Sequence, residues 1–119
     1  MTALTDLLIH AYHNSALFTE AWKEGVQLAG VECFGPGDLT ATDYQELRPI
    51  RDVIEPYLGV MSPGQAYFML AMYSFFNDEV AGEMAERFDA PRSVLGLTWR
   101  LDDHRRAIIA RLLVHYPGW

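Results

Sequence analysis

From Leu4 to about Ala29, apolar residues return on a helical period. At about 100° per residue, Leu4, Leu7, Leu8, Ala11, Ser15, Phe18, Trp22 and Val26 share one stripe, with Asp6, His13, Glu20 and Glu24 opposite. Thr2 or Thr5 is placed to cap this helix, and Gly30 to end it. Cys33-Phe34-Gly35-Pro36-Gly37 then reads as a loop, because two glycines around a proline cannot continue a helix. Thr42 with Gln45 matches a capping box, so a short helix is expected to about Leu47, followed by a second piece from Pro49 to Leu58.

Ser62-Pro63-Gly64-Gln65 is the clearest helix start in the chain: a capping Ser, a Pro that needs no N–H there, and a Gln that completes the box. The helix it opens, about 62–76, is apolar on nearly every side, from Ala66 through Phe76 with Ser74 as its polar exception. Such a helix belongs inside a bundle. Three more follow, from Asn77-Asp78 through Phe88, from Pro91 to about Trp99, and from Asp102 to His115. No segment alternates with period two. The expected fold is all-α: one domain over residues 1–119, a bundle of five to seven helices around the central apolar one.

Length and composition change this picture little. The chain has 119 residues, half of them apolar, which suits one globular domain with its own core. The lone Cys33 excludes an internal disulfide framework. The run from Ala66 to Phe76 is too short for a membrane span, so no membrane partner is expected. Asp6 comes early and Lys23 is the first basic residue, which argues against a signal peptide and for a cytoplasmic location.

Charge is more informative. The net charge is −7, yet residues 90–119 carry five arginines against Asp102 and Asp103. An acidic protein is repelled by nucleic acid and anionic membranes. The basic segment is therefore expected to lie against acidic neighbours in the same fold.

Catalytic and cofactor motifs are missing. His10 and His13, with Asp6 one turn earlier, share neighbouring helical turns, but no further ligand is at hand, and a solvated face is the expected reading. His104 and His115 are too far apart along one helix to share an ion. Gly35-Pro36-Gly37 is no phosphate cradle, since Pro removes a donor and no Lys-Ser or Lys-Thr follows. Glu79, Glu83 and Glu86 lack the His three residues on that a di-iron bundle uses. No cofactor, metal or catalytic residue is assigned, and a helical-bundle enzyme ranks third.

One spacing stands out. Ala85, Phe88, Asp89, Ala90, Pro91 and Leu95 follow the order small residue, apolar residue, turn of three, apolar anchor. Over about twenty residues within 79–100 this resembles helix-turn-helix DNA-binding domains, with Asp89 in place of the usual turn glycine. The resemblance implies a recognition helix from Pro91 to Trp99 that presents Arg92, Ser93 and Arg100, with Gly96, to the groove. Against it, Val94 and Leu97 would crowd that side, and Glu79, Glu83 and Glu86 would approach phosphates. The first reading is instead a small acidic helical protein with a non-enzymatic binding or regulatory role through protein–protein contacts. Its expected contact region is exposed Arg105 and Arg106, beside a Trp119 packed near Tyr116 and the last helix. The central helix has apolar surface enough to suggest a homodimer.

Overall fold

The computed structural model describes residues 3–119, apart from the side chains of residues 7–12. Its elements are α1 (Ala3–Ala29), α2 (Arg51–Leu58), α3 (Pro63–Phe76), α4 (Asp78–Arg87), α5 (Val94–Thr98) and α6 (Asp103–His115), with 3-10 turns at Val31–Cys33 and Tyr44–Glu46. No strand occurs among the described residues; one isolated antiparallel bridge joins Phe34 to Pro49. The fold is all-α.

Helix starts follow the sequence signals closely. Ser62 Oγ accepts the Gln65 N–H at 3.3 Å while Gln65 Oε1 accepts the Ser62 N–H at 3.0 Å, so the expected box forms. Asn77, Ser93 and Asp102 cap α4, α5 and α6 in the same way, each through a backbone N–H three residues on. The box expected at Thr42 and Gln45 does not form. Asp43 takes the Gln45 N–H at 2.8 Å, Glu46 reaches back to the Thr42 N–H at 3.1 Å, and the result is a single 3-10 turn. An Asp two residues upstream of a donor makes its own turn and outcompetes the helix. α2 then begins at Arg51, two residues later than expected.

α3 is the centre of the bundle. Ala66, Phe68 through Tyr73, and Phe75 are buried against α1, α4, α5 and α6. Its apolar surface is absorbed inside one chain, so this helix gives no reason for a dimer. α1 and α3 come close at Gly25, where a Cβ would meet Met72 Cε at 2.7 Å. α1 and α6 run antiparallel, joined by Glu24 with His104 and Arg111 at one end and Asn14 with His115 at the other. Of the basic segment, Arg111 meets Glu24 of α1 and Arg92 meets Glu86 of α4, Arg105 pairs with Asp102 of its own segment, and Arg100 and Arg106 meet no carboxylate among the described residues. Phe18, Trp22 and Val26 of the α1 stripe are buried, but Leu4 is 66 % exposed. Leu7, Leu8, Ala11 and the His10 side chain lie outside the described residues, as does Thr2.

Candidate functional site

α2 ends at Gly59, where the Val60 and Met61 N–H groups both fold back on the Tyr57 carbonyl at 3.0 Å. Ser62 then starts α3. This tight corner leaves Val60 at its tip, 79 % exposed, where turns ordinarily carry polar residues. Across from it, α4 closes in a Schellman arrangement: the Ala90 N–H reaches the Ala85 carbonyl at 2.8 Å, and Asp89 takes a φ of 54°. That turn sends Phe88 back toward the corner, to within 3.7 Å of where a Gly59 Cβ would stand.

Between the two turns lies an apolar groove of about 240 Å³, walled by Leu58, Met61, Ala66, Tyr67, Phe88 and Ala90. Glu55 pairs with Arg87 and Arg51 with Glu83, so ion pairs tie α2 to α4. The Arg100 guanidinium carbon sits 5.8 Å from the Tyr67 ring centre and 5.2 Å from that of Trp99. Arg100 has no carboxylate partner among the described residues, and Trp99 is 59 % exposed. Together these make an apolar cleft with aromatic rims and one cation at its edge.

The residues expected to meet a partner do not form one patch. Arg105 was expected to be exposed; instead its side chain is 27 % exposed, pairs with Asp102 at 2.6 Å and lies 5.7 Å over the Phe68 ring. Arg106 is exposed and unpaired among the described residues. Trp119 is packed inward, with ring centres 4.9 Å from Trp22, 4.8 Å from Tyr44 and 5.2 Å from Phe76. Tyr116 packs on Phe75 and Phe18, and Trp119 meets the same Phe18 ring at 6.3 Å, so the tail folds back beside Tyr116 and reaches on to Trp22 and Tyr44.

The helix-turn-helix spacing is realised differently from the expected one. α5 spans only Val94–Thr98 rather than Pro91 to Trp99, and residues 88–93 separate it from α4, because the chain turns helical only after the Ser93 cap. Arg92 pairs with Glu86 at 2.9 Å and covers Gly82, whose Cβ would meet Arg92 Nη2 at 3.1 Å. Ser93 Oγ is taken by the Gly96 N–H at 2.9 Å, and Arg100 is held over its two rings.

Titratable groups serve the fold. Hydrogen bonds from Arg111 and then His104 hold the Glu24 carboxyl below its ordinary range. Burial pushes the Cys33 thiol up, which disfavours the reactive thiolate. His13 and Asp6 are exposed, and no group of three or more His, Cys, Asp or Glu among the described residues is placed to hold a metal ion. No described helix is long and apolar enough to cross a membrane. No protein-family model, curated protein or solved structure matches the chain.

Proposed function

We propose that this protein is a non-enzymatic binding module that acts through protein contacts, with the groove between the α2–α3 and α4–α5 turns as its docking surface. The carrying observation is the groove itself, apolar inside with exposed Phe88 in its wall, with exposed Val60 at the adjoining α2–α3 corner and exposed Trp99 beside the Arg100 that lies over Tyr67. Trp, Tyr and Arg are the residue types that dominate binding energy at protein interfaces. Arg100 adds a preference for a segment carrying a carboxylate beside its apolar anchors. The DNA-binding reading gains nothing from the geometry, since Arg92 is neutralised by Glu86 and Ser93 is spent as a cap.

A displayed random-peptide library tests this reading. Selection on the wild-type protein, with Val60→Glu/Trp99→Ala as the counter-selecting variant, should recover peptides with large apolar residues flanking an acid. Enriched peptides that bind both proteins equally, or no enrichment at all, would refute the groove as the docking surface.

A further inference from the structure

A second surface lies on α6. Its core side is Ile108, Ile109 and Leu112, all buried, and its α1 side is His104, Arg111 and His115. The face left over is Asp103, Arg106, Ala107, Ala110, Leu113 and Val114, all exposed, with Leu113 at 58 % and Val114 at 72 %. Spacings of three and four residues make it one continuous stripe along the helix. From Ala107 onward it is wholly apolar, unlike the outer face of an ordinary surface helix.

We infer that this face is where two copies of the chain meet, α6 against α6 in antiparallel orientation about a two-fold axis at Ala110. A two-fold pairing requires a surface complementary to itself, in which residue i meets j and j meets i. With the axis at Ala110, Leu113 falls opposite Ala107, and Val114 falls opposite the aliphatic stem of Arg106. Leu113 therefore meets a small residue on either side of the crossing, and Val114 meets an aliphatic stem rather than a charge. Alanine at the crossing lets the helix axes approach to about 8 Å, the close end of helix packing.

Charge is complementary in the same register. The last carbonyls of α6 have no partner within the helix, no capping hydrogen bond closes them among the described residues, and they form the negative end of its dipole. The antiparallel pairing carries the unpaired Arg106 of each copy to that end of the other. The two Arg106 positions stand about 12 Å apart along the axis, beyond the screening length of about 8 Å at physiological salt, so their mutual repulsion is small. A single helix face buries little area, which makes the dimer weak and dependent on concentration.

Sedimentation equilibrium from low micromolar to submillimolar protein, together with cysteine cross-linking, tests the inference. The wild type should shift from monomer to dimer mass across that range. Ala110→Glu should raise the dissociation constant at least tenfold without moving the melting temperature, because residue 110 is exposed in the monomer. Ala110→Cys should form a disulfide-linked dimer under mild oxidation, and Gln27→Cys, exposed on α1, should not; buried Cys33 contributes little background. Monomer mass at every concentration, an undiminished dimer in Ala110→Glu, or equal cross-linking through residue 27 would each overturn it.

Discussion

The Trp22 indole N–H donates to the Leu47 carbonyl at 2.9 Å, with both residues wholly buried. With the Tyr44 N–H on Thr19 Oγ1 at 3.2 Å, this bond fastens the middle of α1 to the long connection before α2, a stretch also held by the Gly35 and Ile50 N–H groups on Arg48 and Cys33 carbonyls. Trp22→Phe keeps an aromatic ring but strands the Leu47 carbonyl away from water. We expect a loss of about 2–4 kcal/mol, from the unmade hydrogen bond and the space left by the smaller ring, measured by urea unfolding.

Trp119 closes the same aromatic cluster, and its Nε1 is buried without an acceptor among the described residues. Trp119→Ala should cost about 2–4 kcal/mol, a drop of roughly 10 °C in melting temperature. Trp119→Phe should lose less than half of that, since it retains a ring and removes the unsatisfied N–H. Deleting residues 117–119 should be at least as damaging as Trp119→Ala, because the Tyr44 hydroxyl also loses the Gly118 carbonyl it donates to at 2.8 Å. A thermally silent deletion would show that the tail lies outside the core.

Asp89 occupies a left-handed conformation with a φ of 54° in the turn that closes α4. Glycine adopts that conformation without the steric cost an L side chain incurs. Asp89→Gly should therefore raise stability by about 0.5–1 kcal/mol, and Asp89→Val should lower it, both read by thermal melting.

Glu24 joins α1 to α6 through Arg111 at 2.6 Å and His104 at 3.3 Å, and its carboxyl is held below the ordinary range by those bonds. A carboxyl with a lowered folded-state pKa stabilises the fold above its unfolded pKa and ceases to do so as pH falls through the folded value. Glu24→Gln should thus be less stable than wild type at neutral pH. The difference should vanish under acid conditions, below the lowered carboxyl range. Side-chain exposures of 40 % for Glu24 and 38 % for Arg111 keep the effect under about 1 kcal/mol.

Local signals made much of the fold legible. Ser62, Asn77, Ser93 and Asp102 each announce a helix because a short polar side chain finds a backbone N–H three residues on, with no distant contact needed. α3 is recognisable as central because nearly every side of it is apolar. Residues 31–50 were harder: Thr42, Asp43 and Glu46 compete for the same few N–H groups, and tertiary bonds such as Trp22 to Leu47 decide the winner. The groove was not legible at all. It is assembled from 58–67 and 88–90, with Arg100 reaching its edge over Tyr67, and no periodicity links these; the one local hint is Val60, an apolar β-branched residue at the tip of a Gly-containing turn. The partial burial of Arg105 has a local part, its i,i+3 pair with Asp102, that the spacing shows, and a tertiary part, its place over the Phe68 ring, that charge arithmetic does not see.

The groove is the centre of the functional account, and Val60 and Trp99 are exposed apolar residues that flank it. Titration calorimetry of a library-selected peptide against wild type and Val60→Glu/Trp99→Ala, alongside their melting curves, tests it most directly. The account predicts a binding loss of about 2 kcal/mol or more, over tenfold in affinity, with nearly unchanged melting temperatures. Equal affinity for both proteins would contradict it.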